Sequence, residues 1–284
     1  ADIAIMNVLG FDASAVGNHE FDNGPDAYAG LVASEVDGTT IESLGALFPY
    51  LTANLDFSGE PALADLFTGD ILPASDYAQA PSGLVAGEGT SAQFAPATIV
   101  ETDGEQVGVV GATYQIVETV SSTGGVTDAT GGEVDMEALA AAIQPQIDAL
   151  TAQGVDKIVV VTHLQDINQE QELVGLLSGV DVIVAGGSDT ILADETDSLR
   201  PGDEAGGEYP ILGQDADGNP VAIVSTDGEY SYVGRLVVEF DETGTIVPDS
   251  IDAAESGAFA TDEAGVLATT GADDLEAALA ASET

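Results

Sequence analysis

The run Val16-Gly17-Asn18-His19-Glu20-Phe21-Asp22 places an amide, an imidazole and two carboxylates side by side, directly after an apolar stretch. One of the chain's two histidines lies here. An asparagine carbonyl and a neutral imidazole are both competent metal ligands, and Asp22 is close enough in sequence to orient the His19 ring. The same residues also suit a plain turn with a surface histidine, because a short motif says little without its context. Two further loops widen the set. His163 ends the apolar run Val159-Val160-Val161-Thr162, and Asp189 ends Gly186-Gly187-Ser188-Asp189 after another. Together the three loops offer amide, imidazole and carboxylate donors, the set that divalent cations take. Taken singly, His163 reads as a satisfied histidine at a strand end. Asp189 alone reads as the N-cap of a helix over Thr190-Ile191-Leu192-Ala193.

The elements that must position these groups can be read from hydrophobic spacing. Ile3 to Leu9 reads as a buried helix or strand, and Gly17 allows a tight turn after it. Asp26, following Pro25, opens a helix with Tyr28, Leu31 and Val32 on one side. A strand is expected around Tyr50 to Leu55, followed by loops and short helices over residues 57–95. Asp103-Gly104 is a strong two-residue turn signal, so Pro96 to Glu101 and Gln106 to Tyr114 should form a hairpin. A helix opens at Asp135 with Met136, Leu139, Ile143, Ile147 and Leu150 on one face. Pro145 should kink it, and it should end near Gly154. Lys157 to Thr162 and Val180 to Ala185 read as strands buried on both faces, with a short helix over Asn168 to Leu177 between them. Val221 to Ser225 and Arg235 to Phe240 read as antiparallel strands, the turn Asp241-Glu242-Thr243-Gly244 follows, and an amphipathic helix with Leu275 and Leu279 spans Asp273 to Ala281. This alternation predicts an α/β sheet with its chemistry at strand ends.

Composition narrows the partners. The 284 residues carry three Lys plus Arg against 51 Asp plus Glu, a net charge of -48, and 44% are hydrophobic. Such a surface has no means of gripping a nucleic-acid backbone by its phosphates and repels anionic membranes. Self-repulsion on this scale is relieved by salt, since the Debye length falls to about 3 Å at 1 M, so a saline setting or bound divalent cations are expected. There is no cysteine and therefore no disulfide. No run of ~18 apolar residues spans a membrane, and Asp2 stands where a basic leader segment would begin.

The segment Gly17-Asn18-His19-Glu20-Phe21-Asp22-Asn23-Gly24-Pro25 resembles the Asn-His signature of the calcineurin-like metallophosphoesterase superfamily, in the branch of 5'-nucleotidases and atypical alkaline phosphatases. Phe48 to Asp56, Asp103 to Gly111, Val160 to His163 and Val180 to Asp189 are similar to later segments of that branch, in the same order. The resemblance implies a four-layer α-β-β-α sandwich and hydrolysis of phosphate monoesters or nucleotides with two divalent metals (Mn, Zn, Mg or Ca). It implies that Asn18 and His163 ligate the second metal, and that Asp189 stands in for a ligand histidine. His19 would hydrogen-bond the phosphoryl or leaving oxygen with Asp22 orienting it, and Glu20 would be structural. Apart from the resemblance, Arg200 lies in a loop shortly after Asp189 and is the one of the three basic residues placed to meet a phosphate, although it also reads as a surface arginine in an ion pair. Two departures accompany these matches. Gly187 replaces a ligand histidine, and the family's Asp-x-His strand and Gly-Asp loop have no counterpart before Asn18. The expectation is therefore a domain over residues 1–250 that starts without its first strands, followed by a linker and helix over 251–284 leading toward a further domain. The alternative is an extracellular structural or binding domain that keeps the fold without catalysis. Either would be extracellular or periplasmic.

Overall fold

The computed structural model describes residues 2–37, 40–77 and 92–282. Along the chain, α1 (Asp2–Leu9) leads to β1 (Ser14–Ala15), and α2 (Pro25–Val32) follows the loop that holds Asn18 and His19. Next come β2 (Tyr50–Leu51), β3 (Leu72–Pro73), β4 (Phe94–Ala95), β5 (Ala97–Thr102) and β6 (Glu105–Thr113). The central alternation is α3 (Met136–Ala152), β7 (Ile158–His163), α4 (Ile167–Val174) and β8 (Val182–Val184). Then follow β9 (Ile211–Gln214), β10 (Pro220–Val224), β11 (Tyr232–Arg235), β12 (Glu239–Phe240), β13 (Ile246–Val247) and β14 (Gly257–Ala260). The helices α5 (Glu263–Thr270) and α6 (Leu275–Ser282) come last.

Valine and isoleucine dominate β6, β7, β8 and β10, and β-branched side chains pack well on a pleated surface. These four strands run parallel in a seven-stranded sheet of order β9-β10-β8-β7-β6-β5-β3. β9 joins one side antiparallel, and β5 joins the other through the hairpin at Asp103-Gly104, both of which have positive φ as the turn requires. A smaller parallel sheet, β1-β2-β4, lies against it.

Each sheet has a helical cover on its outer side. On one face of the large sheet, Leu139, Ile143, Ile147 and Leu150 of α3 and Leu173 of α4 pack against Val110, Ile158, Val160 and Ile183. Asp135 caps α3, accepting from the Ala138 amide at 3.0 Å. On the other face, Leu51 and Ala95 of the small sheet meet Val109 and Val161. The approach is close: a Cβ on Gly111 would lie 2.2 Å from the Leu51 carbonyl, and the Ala53 amide donates to the Gly111 carbonyl at 2.8 Å. The far side of the small sheet takes the α2 face, where the Tyr28 ring meets Phe94 edge-on with centroids 5.1 Å apart. Burying a side chain such as Val32 contributes about 1.5–3 kcal/mol, which fixes α2 and the loop before it. The layers are thus α-β-β-α, as expected.

Several local expectations are corrected. The Ile3 to Leu9 stretch is helical but not buried: only Ile3 and Met6 pack inward, while Val8 is 87% exposed. Gly17 makes no positive-φ turn. It is a glycine because a Cβ there would lie 2.9 Å from the His163 ring. Residues 190–193 form no helix, because Asp189 sits at φ 51, outside the extended conformation an N-cap takes. Leu192 instead bridges to Gly207. Val221 to Ser225 and Arg235 to Phe240 do not pair with each other. The first lies beside β8 and β9, and the second splits between β11, which pairs with β14, and β12, which pairs with β13. The last helix forms, but Leu275 and Leu279 remain exposed and only Ala278 is buried. Part of the 57–95 excursion, residues 78–91, lies outside the described residues; the rest contains a short helix, Pro61–Ala64, and β3.

Candidate functional site

Three strand ends meet at one edge of the sandwich. β7 ends in His163, β8 runs into Gly186 to Asp189, and β1 runs into Gly17 to Asp22. A buried polar network ties the small-sheet strand ends to the large sheet. Asn54, fully buried, accepts from the Thr113 amide at 2.8 Å and donates to the Thr113 carbonyl at 2.9 Å and to Asp128 at 2.8 Å. The Thr113 hydroxyl donates to the Val16 carbonyl at 2.7 Å. A satisfied network of this kind rigidifies its surroundings, and here it holds the backbone just before Gly17. The loop then turns through the short helix His19–Phe21, whose Phe21 anchors it in the core.

Asn18 is 5% exposed, and its Oδ1 lies 2.9 Å from His163 Nε2, although 145 residues separate them in sequence. Gln165 joins them: its Nε2 donates to Asn18 Oδ1 and lies 3.5 Å from His163 Nε2. The His163 ring is held between two glycines. A Cβ on Gly17 would lie 2.9 Å from Nδ1, and one on Gly187 would lie 2.8 Å from Nε2. His19 faces solvent, and its Nδ1 meets Asp22 Oδ2 at 2.9 Å. Glu20 Oε2 accepts from the Gly17 amide at 2.9 Å, closing the loop on itself.

The electrostatics separate the two imidazoles. The hydrogen bond to Asp22 holds the His19 ring above its ordinary value, with the charges of Asp22, Glu20 and Asp189 acting in the same direction. Burial pushes His163 below its ordinary value; the charge of His19 adds to this and that of Asp189 opposes it. His163 is therefore neutral near pH 7, the ligating form of imidazole. Burial raises the Glu20 carboxyl, and its bond from the Gly17 amide works against the shift.

The sequence-predicted residues thus fall into three groups. Asn18, His19, Asp22 and His163 are brought together. Asp189 is near enough for its charge to act on both histidines, but none of its described hydrogen bonds reaches them. Arg200 is engaged elsewhere: its Nε is 3.9 Å from Asp203 and its amide donates to the Tyr232 hydroxyl at 2.8 Å. Sequence reasoning missed Asn54, which lies inside the apolar run Tyr50 to Leu55, and Gln165, two residues past His163. The only signal for either was proximity to a strand end.

Among the described residues no group of three His, Cys, Asp or Glu side chains is placed to hold a metal ion. The donors that converge are instead the Asn18 carbonyl oxygen and the neutral His163 Nε2. Two such groups, both able to present lone pairs to one point, fit two ligand positions of a divalent cation.

The fold and this edge define a metallophosphoesterase-type α/β sandwich, and comparison with known proteins agrees. No protein-family model matches the chain. It is 31% identical over 242 residues to the 5'-nucleotidase of Bos taurus, covering 85% of this chain and 34% of that protein. It is 30% identical over 254 residues to the trifunctional nucleotide phosphoesterase protein YfkN of Bacillus subtilis, covering 88% of this chain and 15% of that one. The crystal structure of the 5'-nucleotidase precursor from Thermus thermophilus superposes with a TM-score of 0.65 at 30% identity, covering 87% of this chain and 39% of that one. Over most of its own length the chain is thus related to 5'-nucleotidases. It spans about a third of the bovine relative's length.

Proposed function

We propose that this chain serves the metal-dependent hydrolysis of phosphate monoesters, with nucleoside 5'-monophosphates as the substrate class. The observation that carries the reading is the 2.9 Å approach of Asn18 Oδ1 to His163 Nε2 beside the His19–Asp22 pair. Asn18 and His163 would hold one divalent cation, and the charge of Asp189 acts on both rings beside them. Such a cation, manganese, zinc, magnesium or calcium, polarises a phosphoryl oxygen and lowers the pKa of bound water. His19, kept protonated further up the pH scale by Asp22, donates a hydrogen bond to the phosphoryl or leaving oxygen as charge develops there. Asp22 fixes the ring by holding Nδ1, which leaves Nε2 to face the substrate. The local scarcity of basic side chains supports a cation as the main counter-charge to phosphate. The acidity of the whole chain supports a saline, extracellular or periplasmic setting.

The test is phosphate release from a nucleoside monophosphate with zinc or manganese supplied. His163→Leu should abolish release, and His19→Asn should lower it by about 10²–10⁴-fold, the range of a lost general acid. Wild-type protein that releases no phosphate under any of these metals would overturn the reading.

A further inference from the structure

We propose that Gln165 is a third ligand of the divalent cation held by Asn18 and His163, through its side-chain carbonyl oxygen; this rests on the metal-site reading above. Three observations point to it. The Gln165 amide already occupies the space where the other two donors converge, bonded to Asn18 Oδ1 and 3.5 Å from His163 Nε2. A half-turn about the last side-chain bond exchanges its nitrogen and oxygen, so the same position can present a carbonyl oxygen. With a cation between them, all three groups can turn a lone pair to one point.

The backbone supplies the second observation. Gln165 sits at φ 69, in the left-handed region that costs any residue but glycine. Its amide donates to the Gly186 carbonyl at 3.5 Å, a bond any residue at this position would make. Strained backbone clusters where a group must be aimed, and this angle accompanies the placement of the Gln165 amide beside Asn18 and His163.

The third observation is the space opposite. Gly187, at φ 83, is so close that a Cβ would meet His163 Nε2 at 2.8 Å. A side chain there would crowd the ligating nitrogen, and with glycine in place the gap remains for a group arriving from the β7 side. Gln165 is that group. Two amide oxygens and one imidazole bring no charge of their own to the cation, which favours a dianionic phosphate as a further ligand. Borderline cations such as zinc and manganese suit this mixture of donors.

Zinc titration of the full chain, read through the ring resonances of its two histidines, tests the assignment. About 1 M NaCl suppresses diffuse binding to the acidic surface. In wild-type protein the His163 ring signals should shift at the lowest zinc concentrations. Gln165→Gly removes the ligand and relieves the backbone, so folding is not at risk; it should raise the zinc midpoint about 10-fold or more. Gln165→Glu supplies an anionic oxygen and should lower the midpoint. If Gln165 merely orients Asn18 by donating to it, Gln165→Glu would repel Asn18 and weaken binding, which overturns the ligand assignment. An unchanged midpoint in Gln165→Gly overturns it as well, while the loss of zinc binding in His163→Leu would leave the metal site itself standing. If the wild-type His163 ring does not respond to zinc at all, the site and the assignment fall together.

Discussion

His19 and His163 sit near one another in oppositely acting environments, and the consequence is measurable residue by residue. In a proton NMR titration His19 should titrate above its ordinary value of 6.5 and His163 below it. Asp22→Asn should bring His19 down, because the hydrogen bond from Nδ1 to the carboxylate is the largest cause of its rise. A raised histidine stabilises the folded state fully below pH 6.5, and that contribution fades as pH climbs through the folded value. For this pair the stability effect is small because both side chains are mostly in water; the titration, not the melting point, is the readout. Gly187→Ala is the harsher change. It places a Cβ against His163 Nε2 and forces alanine to φ 83, so the ring must move and stability should fall by roughly 1–3 kcal/mol. Thermal melting together with the His163 ring shift checks both halves. At this scale the sequence exposed Asn18, His19, Asp22 and His163, since their types alone imply chemistry. Gln165 stayed hidden because its significance lies in a backbone angle and a contact across 147 residues.

The elements were legible where composition decides them. The valine-rich strands, the Asp103-Gly104 hairpin and the capped α3 emerge from periodicity and turn chemistry. The partners of Arg235 to Phe240 did not, because pairing depends on which distant edges remain free. Nor did the surface placement of α1, whose apolar residues run all round the helix. One buried contact between elements deserves a test of its own. Glu170 of α4 is fully buried beneath the end of β7, where Oε1 accepts from the Thr162 hydroxyl at 2.8 Å while Oε2 has no partner. Burial raises this carboxyl to about 7, against the partial compensation of the Thr162 bond. The folded state then holds a proton that the unfolded chain releases near 4.5, so stability falls as pH rises from there through 7. Glu170→Gln should remove that share of the slope and stabilise the protein at pH 8 by on the order of 2 kcal/mol. Urea midpoints at pH 5 and pH 8 decide it: equal slopes in both proteins would show that Glu170 does not titrate in this window. Gly111→Val probes the contact between sheets. Its side chain would strike the Leu51 backbone, and a loss of more than about 3 kcal/mol is expected from overpacking where no side chain can yield.

At the scale of the whole molecule, charge dominates. Of the three basic side chains, Lys157 meets Glu105 and Asp156 at 2.9 and 3.2 Å and Arg200 meets Asp203 at 3.9 Å, and three cations are far too few to partner 51 carboxylates. Some serve as helix caps, as Asp135, Asp166 and Asp262 do, but this use leaves the mutual repulsion in place. A fold of ordinary core size must therefore hold together against a net charge of -48. That repulsion acts over about 10 Å at 0.1 M salt and about 3 Å at 1 M. The melting temperature should accordingly rise with NaCl, and the shape of the rise identifies the cause. Screening is mostly complete by about 0.5 M, so most of the gain should fall below that concentration. Strengthened apolar burial by salt exclusion would instead keep growing into the molar range, more steeply with sulfate than with chloride. A melting temperature that is flat below 0.5 M would mean that the carboxylates are already neutralised by bound cations. Repeating the scan after chelation and dialysis would then restore the rise if divalent ions are the source.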